Sequence, residues 1–265
     1  MSKNNIKKLT KEEYIQEYDR LKKEYEDLAK GRKGGFMKYR YELLNNHYVA
    51  DIDGDKFLID TGNPFSFQVD ARPGSIIIDG RPYPLTPRTR LNTEEKKRKT
   101  YELIGCPYLD GFIGTDIIKK TGLTIYKDGW LEFAIKEVPD GVKTRLGLFN
   151  FDTCFIVDAH SNGISGPMVI DLGATVGYAI PEVFNGEEPY CLDKYDHNPE
   201  YGKMESPMYH QQVTIAGRTR IMDMGYHEYP MGRPLGSEVP FVGSVTNFFE
   251  EVCVFDTRNW QLILK

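Results

Sequence analysis

The sequence predicts a mostly β protein built from two similar lobes by tandem duplication, with one helix in front of them. Three observations predict it. The run Phe57-Leu58-Ile59-Asp60-Thr61-Gly62 recurs in looser form, 111 residues later, as Met168-Val169-Ile170-Asp171-Leu172-Gly173. The stretches after the two runs also match, in the same order. Ile78-Asp79-Gly80-Arg81 is echoed by Ile215-Ala216-Gly217-Arg218, and Phe112-Ile113-Gly114 by Phe241-Val242-Gly243. Last, a strand-like segment carrying Trp130 or Trp260 lies 16 or 17 residues beyond the Phe-x-Gly element. An apolar strand ending in an Asp/Gly turn is common by itself. Ordered repetition of all its neighbours points to duplication, with one acid per half.

Taken along the chain, residues 6–31 come first. Thr10 and Glu13 make a capping-box pattern, and Tyr14, Tyr18, Leu21, Tyr25 and Leu28 recur at helical spacing before Gly31, Gly34 and Gly35 end the run. Such an amphipathic helix either packs across the body by its Tyr/Leu stripe or serves as a pro-segment or partner-binding element. From Phe36 the signals become β, and Asp53-Gly54, Asp79-Gly80, Asp128-Gly129 and Ala216-Gly217 read as hairpin turns. Glu137-Val138-Pro139-Asp140-Gly141 is the best linker, which divides the chain into 1–35 (helix and linker), 36–138 (lobe with Asp60) and 139–265 (lobe with Asp171). Short helices are expected over residues 115–120 and 244–249. The mixed-sign run Glu94-Glu95-Lys96-Lys97-Arg98-Lys99 reads as a solvated loop or helix. Trp130 and Trp260 are expected to anchor the lobe cores.

With 265 residues the chain can bury one large or two ordinary cores. A net charge of −5 makes no electrostatic case for nucleic acid. No apolar run approaches the ~18 residues of a membrane span, and Met1–Asn5 lacks the apolar core of a signal peptide. Cys106, Cys154, Cys191 and Cys253 show neither metal nor redox spacing, so reduced thiols and a cytoplasmic address are expected. Neither metal nor cofactor is expected. The five histidines are scattered, Asp51-Ile52-Asp53-Gly54-Asp55 lacks the glutamate of a calcium loop, and no serine lies in a nucleophile elbow.

Two carboxylates brought together across a lobe interface cannot both ionise cheaply. They share a proton and their pKa values split. One can then take a proton from water while the other donates to a carbonyl oxygen. Each acid needs a tight turn in which glycine lets the backbone approach, held by a rigid buried strand.

Those residues resemble the aspartic peptidases of the pepsin/retropepsin group in their two-lobed, single-chain form. Asp60-Thr61-Gly62 is similar to the active-site triplet and Asp171-Leu172-Gly173-Ala174-Thr175 to a variant of it. Phe112-Ile113-Gly114-Thr115-Asp116-Ile117-Ile118 resembles the element packed beneath each active-site loop, and Val242–Trp260 the closing segment of a lobe. The resemblance implies an endopeptidase that cuts an extended peptide or protein substrate, with Asp60 and Asp171 catalytic. Thr61 would tie the loops, and Gly62 and Gly173 would line the dyad; the chain carries both acids, so a monomer suffices. Leu172 departs from the pattern, because it lacks the hydroxyl that would reach the opposite loop. The flap departs too: Asp60 lies 20 residues before Gly80, but Asp171 lies 46 before Gly217. The lid is therefore expected within Cys191–Met208, or in the hairpin around Ile76–Leu85 with Tyr83 facing substrate. Asn63 and Ala174 offer no hydroxyl to the acids, which implies a dyad titrating higher and an activity optimum nearer neutral. Two other readings stand beside this one. One is an inactive version of the fold that binds a peptide or protein, and the other is an interaction protein docking through residues 6–31.

Overall fold

Short runs of Ile, Val, Phe and Tyr, cut by turn residues, form strands in the computed structural model, which describes residues 37–70, 74–86, 91–149, 153–198, 202–226 and 239–265. The helix expected over residues 6–31 lies outside the described residues. The first half contributes β1 (Tyr39–Leu44), β2 (His47–Ile52), β3 (Asp55–Ile59), β4 (Phe67–Gln68), β5 (Gly74–Ile78), β6 (Arg81–Leu85), α1 (Glu94–Ile104), β7 (Gly111–Ile113), α2 (Thr115–Thr121), β8 (Leu123–Tyr126) and β9 (Trp130–Glu132). The second contributes β10 (Val142–Arg145), β11 (Gly147–Phe149), β12 (Cys154–Ser161), β13 (Ile164–Ile170), β14 (Gly177–Ala179), β15 (Cys191–Asn198), β16 (Gly202–Ile215), β17 (Arg218–Tyr226), β18 (Phe241–Gly243), β19 (Val252–Asp256) and β20 (Gln261–Leu264).

Two large sheets result, in the orders β10-β20-β19-β8-β9-β1-β2-β3-β7-β4 and β11-β12-β13-β18-β14-β17-β16-β15, with β5-β6 a separate hairpin. The two acid-bearing strands have equivalent neighbours. β3 runs parallel to β7, with Ile59 opposite Ile113, and β13 runs parallel to β18, with Ile170 opposite Gly243. Phe57, Leu58, Ile59, Met168, Val169 and Ile170 are all buried, so both acids leave strands fixed on two faces. A boundary at 138/139 falls between β9 and β10, yet the larger sheet continues across it. The carboxy-terminal β19 pairs antiparallel with β8 from Val252↔Tyr126 to Phe255↔Leu123, and β20 pairs with β10. The linker forms a turn, Gly141 N–H donating to Val138 O at 3.1 Å. One core cluster takes Ile59, Phe133, Phe155, Ile170, Phe241 and Phe255 from both halves. Each such side chain stabilises the fold by about 1.5–3 kcal/mol.

At Asp53-Gly54, Asp79-Gly80 and Ala216-Gly217 both residues are left-handed, as a two-residue hairpin turn requires. Asn45-Asn46 and Asn162-Gly163 adopt the same form and add two hairpin turns to those expected. The charged run at 94–99 is helical, with Thr93 accepting from Lys96 N–H and Gly105 ending it in the left-handed region (φ 78°).

Two expectations are corrected. Residues 115–121 are helical, but no helix forms over 244–249. There Phe248 N–H turns back to Val245 O, while the carbonyls of Thr246, Asn247 and Phe248 are taken by Lys127 Nζ, Arg220 Nε and Arg218 Nη1 at 2.9, 3.1 and 3.1 Å. Those carbonyls would be free at the end of so short a helix, so their partners do not compete with it. The competition is local, Ser244 Oγ accepting from Thr246 N–H at 3.3 Å and meeting Thr246 Oγ1 at 2.5 Å. Nor do the tryptophans anchor cores, for Trp130 and Trp260 are 37% and 39% exposed. Trp130 lies under the Arg40 guanidinium, and Trp260 sits in the turn before β20 with φ 53°. The buried anchors are their neighbours Leu131 and Leu262.

Candidate active site

Each acid begins a tight turn directly after its strand. Asp60 N–H donates to Ile113 O and Asp171 N–H to Gly243 O, both at 2.9 Å, so the strand beneath fixes where each turn starts. The turns close by Asn63 N–H to Asp60 O at 3.1 Å and by Ala174 N–H to Asp171 O at 3.4 Å. Asp60 and Asp171 are half-buried, whereas Thr61 and Leu172 between acid and glycine are fully buried.

The two turns face each other at contact distance, and their glycines record it. A Cβ added to Gly62 would overlap the carboxyl group of Asp171, and one added to Gly173 would stand 2.6 Å from Asp60 Oδ1. That same point is 3.2 Å from Asp171 Oδ1, so the two carboxylate oxygens lie no farther apart than those two lengths joined. Only glycine leaves room here; each acid packs on the backbone of the opposite turn. Gly173 N–H also donates to Asp171 Oδ1 at 2.8 Å.

Thr61 joins the turns. Its hydroxyl donates to Ile170 O at 2.8 Å and accepts from Leu172 N–H at 2.9 Å. Leu172 gives nothing comparable in return; its side chain is wholly buried in the main core. Other bonds brace the pair. Thr115 Oγ1, at the start of α2, donates to Thr61 O at 3.0 Å. Ser66 donates through both N–H and hydroxyl to Asp116 Oδ1 and accepts from Gly114 N–H, tying the Asp60 turn to α2. Cys154 Sγ contacts Gly62 O at 3.4 Å, and Asn46 Nδ2 donates to Ala174 O at 3.3 Å. Asn63 Oδ1 accepts from Phe65 N–H within its own turn. Sequence reasoning missed Ser66, Asp116, Asn46 and Cys154. The paired asparagines at 45–46 carried a turn signal, and Cys154 carried none.

The candidate lid elements differ. In the short β5-β6 hairpin Tyr83 pairs with Ile76, is half-buried and packs against the main core, where burial raises its hydroxyl pKa despite nearby Arg81. The tip is tied down. Met37 N–H donates to Asp79 Oδ1 at 2.6 Å, and Asp79 N–H to Tyr39 Oη at 3.2 Å. Burial, and then Glu132 nearby, raise the Asp79 pKa against the bond from Met37. The long β15-β16 hairpin pairs from Cys191↔Met208 to Asn198↔Gly202, with an irregularity between Cys191 and Lys194. At its base the Tyr190 ring lies flat on His210 (3.9 Å), whose Nδ1 meets Asp223 Oδ1 at 2.8 Å. Burial and Asp223 push the Tyr190 hydroxyl up to about 12. Among the described residues the four cysteines are free, no His/Cys/Asp/Glu group of three or more could hold a metal, and no helix is long and apolar enough to cross a membrane.

No family model matches the chain, and no curated protein matches it. Among solved structures the chain is similar to Basic 7S globulin from soybean, with a TM-score of 0.49 and 10% identity over 86% of this chain and 93% of that one.

Proposed function

We propose that the chain is an aspartic-type endopeptidase of the pepsin/retropepsin-like kind, in which Asp60 and Asp171 share a proton and activate one water. The observation that carries this reading is the reciprocal packing of each acid on the other's glycine, Asp171 on Gly62 and Asp60 on Gly173, with Thr61 bridging the two turns. Carboxylates so close favour a state in which one is ionised and the other protonated. The ionised acid takes a proton from water as its oxygen adds to the peptide carbonyl, while the protonated acid donates to the carbonyl oxygen. The proton gained from water passes to the amide nitrogen, a hydroxyl of the tetrahedral diol returns its proton to the other acid as the C–N bond breaks, and the dyad is left with one shared proton. No covalent enzyme intermediate and no cofactor is needed. In this reading the lobes meet at the dyad, a monomer is sufficient, the address is cytoplasmic, and the substrate lies extended across the two acids beneath a hairpin lid.

The test is cleavage of a diverse peptide library by the full chain between about pH 4 and 7.5, beside Asp60→Ala and Asp171→Ala, since a dyad's macroscopic pKa values set its working range. Cuts lost in both variants are the expected result, and cuts surviving in either overturn the assignment. A second reading has an observation of its own. Leu172 puts a buried apolar group where a bridging hydroxyl would serve, which suits a cleft that holds an extended peptide without hydrolysing it. Saturable binding of library peptides with no cleavage would select that reading.

A further inference from the structure

The β1-β2 turn makes a contact that sheet pairing does not require. Asn45 and Asn46 are both left-handed there, with φ 44° and 69°, a conformation asparagine accepts more readily than most residues. Asn45 Nδ2 donates to Leu103 O at 2.8 Å, in the last turn of α1. Asn46 Nδ2 donates to Ala174 O, a residue 128 positions away in the Asp171 turn. A carbonyl can only accept, so chemistry fixes which end of each carboxamide faces it. One asparagine therefore grips a helix in the first half, and the next grips the second acid's turn.

The grip falls where that turn is least braced. Ala174 donates the closing bond of the Asp171 turn, at 3.4 Å against 3.1 Å in the Asp60 turn. Its neighbour Leu172 supplies no hydroxyl. We infer that Asn46 is a positioning residue for the dyad, holding the Asp171 turn against the first half in place of the bond a hydroxyl at 172 would make. It acts through Ala174 on Asp171 and does not reach the reacting atoms. The mechanical part of this inference stands on the hydrogen bonds alone; the catalytic part rests on the peptidase reading.

The test uses the full chain with Asn46→Gly, which keeps the left-handed turn and removes the carboxamide, and Asn46→Asp, which keeps the size and replaces the donor by an acceptor. Both are made alone, and Asn46→Gly is also combined with Leu172→Thr. Amide hydrogen exchange over residues 171–175 is measured together with kcat and KM. The expected result is exchange about three- to tenfold faster in both single variants, the loss of one hydrogen bond. With it, kcat falls on the order of tenfold while KM stays within about twofold, the mark of lost positioning and not of lost binding. Leu172→Thr should restore much of both losses. Unchanged exchange over 171–175 overturns the inference whatever the activity. Faster exchange in a chain that cleaves nothing leaves the grip standing and removes the peptidase reading. Faster exchange with kcat undiminished overturns the positioning role.

Discussion

The turns carrying Asp60 and Asp171 start alike and are finished differently. Each leaves a strand whose last three residues are buried, is pinned by a parallel Phe-x-Gly strand, and lets its glycine meet the opposite acid. The Asp60 turn is polar inside. Thr61 spends its hydroxyl on two bonds across the interface, and the Ser66–Asp116 pair ties the turn to α2. The Asp171 turn is apolar inside at Leu172, and the non-helical loop after its Phe-x-Gly strand has its carbonyls taken by Lys127, Arg218 and Arg220. One hydroxyl that both donates and accepts can join two turns, which frees the equivalent position in the other half to become core.

Substitutions can break that comparison or sharpen it. The largest effect is expected from Gly62→Ala and Gly173→Ala. Each new methyl displaces the opposite carboxyl group, and cleavage should fall by more than about a hundredfold in either, because sub-ångström placement of the reacting groups is lost. A steady-state assay at saturating peptide checks this; a loss in only one variant would show that the two acids are not equally placed. Next comes Thr61→Val, which keeps shape and removes both bridging bonds. Denaturant unfolding should report a loss of about 1–3 kcal/mol, because the Leu172 N–H is left without its acceptor. Leu172→Thr is the reciprocal experiment: it adds a second bridging hydroxyl but withdraws apolar atoms from the core. Stability should fall by about 1–3 kcal/mol, lost apolar packing at a wholly buried site outweighing the new bond, while kcat rises a fewfold.

The smallest effect concerns the two hairpins, one tied at its tip and one irregular near its base. Burial raises the Asp79 pKa, so at neutral pH its ionised form weighs against the folded state relative to the unfolded chain. That penalty fades as pH falls through the raised value, and it is gone below the ordinary carboxylate range. Asp79→Asn, which can still accept from Met37 N–H, should therefore melt higher than wild type at neutral pH. The difference should vanish by about pH 3, as melting curves across that range will show.

Much of this was legible in the residues. The acid-bearing strands announced themselves by an apolar run stopped at Asp-x-Gly, and the hairpins by paired turn residues, because both signals are local. The helix after Gly114 obeyed the same logic. Its counterpart after Gly243 failed because Ser244 and Thr246 bond to one another and Ser244 Oγ takes the Thr246 N–H, side-chain competition that apolar spacing does not register. Trp130 and Trp260 misled for a related reason: strand alternation and turn geometry decide which face a large ring occupies, and a one-residue shift buries Leu131 in its place. Asn46 and Cys154 could not be found from sequence, since their partners lie 128 and 92 residues away.

The pairing of β19 with β8 also governs the order of events during synthesis. Leu123–Tyr126 lies between β9 and β19 in the sheet, and β19 begins at Val252, 126 residues after β8 ends at Tyr126. While the chain is still emerging from the ribosome, one side of that apolar strand therefore has no neighbour. An open strand edge of this kind is a template for the wrong partner. β19 thus closes that edge late: a nascent chain halted before Val252 presents an open half-sheet, and a chain cut there should lose solubility far more than one cut between elements.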